Sequence, residues 1–175
     1  MNLFVKSSHR KNIAYVYHEK KKFICFVGKN GIGSKKREGD LITPRGKFKL
    51  KKVFYKKKEL NKIKTRIPKT EIKKNFAWCT DSNNKRYNSL ISKPIGCEYE
   101  DMFRKDSLYD IVIVLDFNYT SPIKHKGSAI FLHCSENKTR FTEGCIAMAK
   151  KDLLELIPYI TASSSLISTN FYSQK

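Results

Sequence analysis

The run Ile111-Val112-Ile113-Val114-Leu115 restricts this chain more than any other feature. It is unbroken, rich in β-branched residues and too short for a buried helix, so it reads as a central strand covered on both faces. Leu108-Tyr109-Asp110 precedes it and Asp116-Phe117-Asn118 closes it. A second apolar run, Ala129-Ile130-Phe131-Leu132, is its expected neighbour and ends in His133. A buried strand that ends this way delivers an imidazole to the edge of a sheet, where a cleft can open. Twelve residues later, Thr142-Glu143-Gly144-Cys145-Ile146-Ala147 offers a thiol directly after a glycine. Glycine lets the backbone turn sharply and leaves amide N–H groups free to face a reacting carbonyl.

The remaining patterns also favour strands. Leu3 to Val5, Ile13 to Tyr17 and Phe23 to Val27 are short runs separated by basic turns, an opening β-meander. Gly28-Lys29-Asn30-Gly31-Ile32-Gly33 precedes no helical pattern and lacks a Gly-Lys-Ser/Thr ending, so it reads as a tight turn rather than a phosphate loop. Thr43-Pro44-Arg45-Gly46 is a turn, and Lys47 to Lys51 alternates as a half-buried strand that continues into a long arm. Residues 56–75 read as a basic surface excursion with one helical turn, interrupted by Pro68. Trp78-Cys79-Thr80-Asp81 through Tyr87-Asn88 reads as a loop, either a binding wall or a loop that Trp78 anchors to the core. One helix is expected over Lys150 to Tyr159, with Leu153, Leu156, Ile157 and Ile160 on one face and Asp152 near its positive end. From Thr161 the tail is serine-rich, and Leu166, Ile167, Phe171 and Tyr172 allow a final edge strand or a flexible end.

The 175 residues suit one mostly β (α+β) domain over the whole chain, and 40% hydrophobic content suits a globular protein. Lys plus Arg number 36 against 16 acidic residues, a net charge of +20 that favours an anionic polymer or membrane surface. No stacked-aromatic or groove-helix pattern accompanies that charge, so specific nucleic acid recognition is not expected, and a basic nucleic-acid module ranks below an enzyme. The five cysteines include no C-x-x-C pair and imply no disulfide framework. His125, His133, Cys134 and Cys145 match no common zinc spacing, and adjacent ligands at 133 and 134 would point apart on a strand, so no metal or other cofactor is expected. The first ten residues hold no apolar stretch of signal-peptide length, and no segment reaches the length of a membrane span; by this reading a cytoplasmic location is open.

A thiol needs a base or a positive field to act as a nucleophile, and His133 is the candidate base for Cys145. His9 and His18 lie in basic polar segments and His125 sits between lysines. Six blocks then stand in order: Arg37-Glu38-Gly39-Asp40 before Thr43-Pro44-x-Gly46-x-Phe48, Trp78-Cys79 with Asp81, Tyr87-Asn88, Leu108-Tyr109-Asp110, Gly127-Ser128-Ala129-Ile130-Phe131-Leu132-His133, and Thr142-x-Gly144-Cys145. In these the chain resembles the L,D-transpeptidase catalytic-domain (YkuD-like) family of bacterial cell-wall enzymes, over most of its length.

The resemblance implies a β-sandwich of mixed sheets, with the one helix after the cysteine. It implies that Cys145 attacks the carbonyl at position three of a peptidoglycan stem peptide, releasing the terminal D-alanine and leaving a thioester. His133 would take the thiol proton, with its other ring nitrogen held by the backbone carbonyl of Cys134. Backbone N–H groups of Gly144 and Cys145 would form the oxyanion hole. An amine acceptor gives a cross-link, whereas water gives L,D-carboxypeptidase action on stems or muropeptides. Trp78, Asp81, Tyr87, Asn88, Ser128, Arg140, Thr142 and Glu143 are candidate substrate contacts. The family implies a periplasmic or envelope location and sensitivity to carbapenems. Two residues depart from the family: Glu143 places a carboxylate before the glycine, and Ala147 stands where an arginine for a substrate carboxylate is common.

Overall fold

The computed structural model describes residues 1–170. The opening meander is present as β1 (Asn2–Ser7), β2 (Ile13–His18) and β3 (Lys21–Phe26), paired antiparallel in sequence order. In β1 and β2 every second residue is buried, as a sheet with one solvated face requires. The glycine-rich segment is a turn leading to a two-residue β4 (Ile32–Gly33), which pairs with β5 (Thr43–Pro44). The long arm is β6 (Gly46–Tyr55). The basic excursion contains a 3-10 turn, Lys57–Lys62, followed by β7 (Lys69–Glu71).

Next come β8 (Phe76–Cys79), β9 (Leu90–Ser92) and β10 (Tyr99–Asp101), a three-stranded antiparallel sheet with β8 in the middle. Trp78 and Cys79 are thus strand residues rather than loop residues. The central run is β11 (Ile111–Leu115), buried at all five positions, and its neighbour is β12 (Phe131–Ser135). After β13 (Ile146–Ala149) the helix α1 spans Lys150–Leu156 and tightens into a 3-10 turn at Ile157–Tyr159. Pro158 has no N–H for an α-helical bond, which accounts for the early end. Leu153, Leu156, Ile157 and Ile160 are all buried.

The last described element, β14 (Ser165–Thr169), corrects an expectation: it is not at an edge but lies between β1, to which it runs parallel, and β6. A tail that reads as polar by composition buries Ser165, Leu166 and Ser168, because a strand between two others is covered even where its side chains are small. Phe171 and Tyr172 lie outside the described residues.

The large sheet runs β11-β12-β13-β3-β2-β1-β14-β6-β7, and β6 also pairs with β11, so the sheet returns on itself. Its two walls face each other across a core built from every strand of the ring, including Leu3, Val16, Val53, Ile113, Leu132 and Met148. A second apolar cluster, Phe54, Trp78, Val112, Val114 and Phe131, joins the outer face of β6, β11 and β12 to the three-stranded sheet. The architecture is mostly β, of mixed sheets with one short helix late in the chain. Among the described residues no helix is long and apolar enough to cross a membrane.

Candidate active site

A cleft of about 900 Å³ opens where the two sheets meet, a volume ordinary for a small-molecule or peptide site. Alternation along β12 sends Leu132 and Cys134 into the closed core and Phe131 and His133 to the outer face. Leu132 aligns with Ile146 on the parallel β13, so Cys145, one residue earlier, arrives level with Phe131. His133 and Cys145 both line the cleft.

The Cys145 thiol donates to the carbonyl of Ala129 at 3.0 Å, and its sulfur accepts the Phe131 N–H at 3.3 Å. Ala129 has φ of +51°, a left-handed conformation that is uncommon for a residue with a Cβ. Asn88 holds it there: its Oδ1 accepts the Ala129 N–H at 3.0 Å and the Trp78 Nε1–H at 2.8 Å, while its Nδ2 donates to the carbonyls of Phe117 and Asn118.

Nδ1 of His133 lies 2.8 Å from the Cys134 carbonyl, which makes Nδ1 the protonated nitrogen and leaves the lone pair on Nε2. The Tyr109 ring stands edge-on to the imidazole, centroids 5.2 Å apart. Burial drives the His133 pKa down to about 4 despite the opposing Cys134 and Leu108 carbonyls, so the ring is a neutral base at pH 7. Burial also pushes the Cys145 thiol well up, reinforced by the Glu100 carboxylate and opposed by the Phe131 N–H and Lys35. At rest the pair is therefore thiol and imidazole rather than thiolate and imidazolium, and among the described residues no hydrogen bond joins them. Such a pair can attack a carbonyl only if the proton leaves sulfur as the bond to carbon forms.

Glu143, Ser128, Arg140 and Thr142 line the cleft. The Arg140 Nη1 is tied to the Asn137 and Thr139 carbonyls, and the buried Ser128 hydroxyl has no protein partner. Thr142 Oγ1 donates to the Cys145 carbonyl at 2.6 Å and accepts the Gly144 N–H at 3.2 Å. The Gly144 N–H thus donates inside its own loop. Trp78 and Asn88 are 1% and 3% exposed and stand behind the cleft wall as the support for Ala129, not in contact with the cleft. Tyr87 is also buried; its hydroxyl donates to Glu38 and accepts the Gly127 N–H at 3.0 Å. Asp81 lies outside the cleft and accepts the Asn83 N–H. His125, His133, Cys134 and Cys145 do not gather, and no metal-binding cluster of His, Cys, Asp and Glu exists among the described residues.

Four cleft residues escape a reading from sequence: Lys35, Glu100, Arg104 and Tyr109. Tyr109 donates to Glu100, and the Arg104 guanidinium sits 5.3 Å from the Tyr109 ring centre. Burial first, then Glu100, holds the Tyr109 hydroxyl far above its usual range. Lys35, whose side chain is 2% exposed, pairs with Asp40 at 2.6 Å beside the Gly144 turn. Burial alone would raise the Asp40 carboxyl, but Lys35 and the N–H groups of Lys36, Ile42 and Arg37 outweigh it and hold the pKa below the ordinary value. The blocks at 37–40 and 108–110 contain Asp40 and Tyr109, whereas Lys35, Glu100 and Arg104 lie outside those blocks. In a chain of net charge +20, the cleft is an exception: Glu38, Glu100, Asp101, Glu136 and Glu143 face Lys35, Arg104, Lys138 and Arg140.

The YkuD family, described as the L,D-transpeptidase catalytic domain, matches residues 3–167. No curated protein matches the chain. Solved structures with a similar fold include Bd1075 of Bdellovibrio bacteriovorus, at 13% identity, 94% coverage of this chain, 46% of that chain and a TM-score of 0.45. L,D-transpeptidase 1 of Mycobacterium tuberculosis gives 9%, 95%, 61% and 0.40. The helical cell shape determining protein Pgp2 of Campylobacter jejuni gives 17%, 96%, 47% and 0.45. The chain thus spans between 46% and 61% of those proteins. With the family match running from β1 into β14, the chain belongs to the L,D-transpeptidase catalytic-domain family.

Proposed function

We propose that the protein is a cysteine acyltransferase acting on peptidoglycan stem peptides in cell-wall biogenesis, with Cys145 as nucleophile and His133 as base. What supports this most directly is that the Cys145 thiol and a neutral, Nδ1-protonated His133 line the same open cleft. As Sγ bonds to the stem carbonyl, its proton passes to Nε2 of His133. The tetrahedral intermediate collapses, the C–N bond to the terminal D-alanine breaks, and the imidazolium protonates the departing amine. An acceptor amine then attacks the thioester, gives its surplus proton to His133 and releases the Cys145 sulfur. The carboxylates of the cleft suit a cationic amine, and Lys35, Arg104, Lys138 and Arg140 suit the carboxylate end of a stem. Water in place of the amine gives L,D-carboxypeptidase activity.

The test is intact-mass measurement after exposure to a carbapenem and to a D-alanine-terminated tetrapeptide stem. An acyl adduct mapped to Cys145, with release of D-alanine from the stem, is expected. Release of D-alanine at the wild-type rate by Cys145→Ala would end this reading. Product analysis with and without an acceptor amine separates transfer from hydrolysis.

A further inference from the structure

The thiol of Cys145 faces an unfavourable field. Glu100 on β10 and Glu143 in its own loop both oppose its ionisation, and the nearby Tyr109 and His133 are neutral. The intermediate that follows carries its negative charge on oxygen, in the same corner. One backbone donor expected to meet that charge, the Gly144 N–H, is already bonded to Thr142. A site built for acyl transfer needs a positive group here.

Lys35 is the cation buried at this corner. Its side chain passes against two glycines: a Cβ at Gly127 would lie 2.4 Å from the Lys35 Cε, and one at Gly144 would lie 3.5 Å from Nζ. Gly127 and Gly144 have φ of +120° and +150°, so the backbone departs from the common regions where it makes room for the ammonium. Asp40 fixes the ammonium through one hydrogen bond at 2.6 Å and is itself held by three backbone N–H groups. An ammonium carries three donors, so one bond to Asp40 leaves two.

We infer that Lys35 is the electrostatic partner of Cys145: it holds positive charge at the Gly144 corner, easing loss of the thiol proton and then facing the carbonyl oxygen that turns negative. When sulfur bonds to carbon, the carbonyl π electrons move onto oxygen; when the C–N bond breaks, they return. Lys35 keeps its proton throughout, and the proton traffic runs through His133. The role at the thiol is independent of substrate, whereas the role at the oxygen rests on the acyl-transfer reading.

The experiment is the pH profile of Cys145 alkylation by iodoacetamide, read by peptide mapping, in wild type, Lys35→Met and Lys35→Met/Asp40→Asn. The double variant removes the carboxylate that the single one would strand. Both are expected to move the profile to higher pH by about one unit or more, and to slow acylation by a tetrapeptide stem about 100-fold. A wild-type profile in either variant, with the circular dichroism of the native fold, overturns the inference. Wild-type protein supplies a second reading if both variants unfold. The Cε resonance of isotope-labelled Lys35 should follow the thiol titration and lose that response in Cys145→Ser; an unresponsive resonance also overturns the inference. Failure of the wild type to be acylated by any stem removes the proposed function, while the alkylation profile still decides the role of Lys35 at the thiol.

Discussion

The two faces of β12 carry similar chemistry to opposite ends. Cys134 points into the closed core, where burial lifts its thiol to about 12 and the thiol donates to the Ile111 carbonyl at 3.8 Å. Cys145 meets the other face, and burial raises its thiol as well. Neither cysteine is poised as a thiolate, so acidity does not distinguish them. What differs is that the outer face adds a neutral imidazole, a buried ammonium and an open cleft, whereas the inner face adds a closed apolar core, with the charges of Asp110, Lys150 and Glu59 acting on the thiol through it. Reactivity in this fold belongs to the surroundings of the sulfur more than to the sulfur.

The sharpest way to break that comparison is to remove each sulfur in turn. Cys145→Ala should lose acylation altogether and keep its melting temperature. Cys134→Ala should keep acylation and lose about 1–2 kcal/mol of stability from the vacated core volume, read by urea unfolding. A Cys134→Ala protein that loses acylation while folded would mean that the faces are coupled. Next in size is His133→Gln, expected to slow acylation by about 100- to 10,000-fold, measured by intact mass over time.

The same histidine ties stability to pH. Below pH 6.5 the unfolded imidazole takes up a proton that the buried ring refuses until about pH 4. The folded state therefore loses stability as pH falls through that window, and His133→Gln should flatten this part of the curve. The smallest effect is expected from Glu100→Gln. Removing this carboxylate should move the Cys145 alkylation profile to lower pH, opposite in sign to Lys35→Met. An upward shift would place the dominant influence of Glu100 in its bond to Tyr109 instead.

Strands were readable because alternation and β-branched runs are local, which is why β1, β2, β6 and β11 stand where the pattern puts them. His133 was readable as a cleft residue because it ends an apolar run, and Cys145 because it directly follows a glycine and opens the next run. What escaped depends on contacts between distant segments. Lys35 is one lysine of a lysine-rich chain until Asp40, Gly127 and Gly144 converge on it. Trp78 and Asn88 read as parts of a loop, either a binding wall or a loop that Trp78 anchors to the core. The left-handed turn at Ala129, over forty residues on, and the carbonyls of Phe117 and Asn118 give their polar atoms an internal task. β14 was misplaced because small polar side chains look like an edge when the strands on either side both come from the far N-terminal part of the sequence.

The seat of β14 governs the order in which the chain can assemble. Asn2 aligns with Ser165 and Lys6 with Thr169, so β1 waits for the last described strand before both of its edges are covered. Until residues 165–169 emerge, β1 and β6 present open edges, with Leu3, Val5 and Leu50 waiting on the unfinished wall. Closure of the sheet is consequently a late, non-local event, the kind that slows folding and leaves a nascent chain dependent on protection from aggregation.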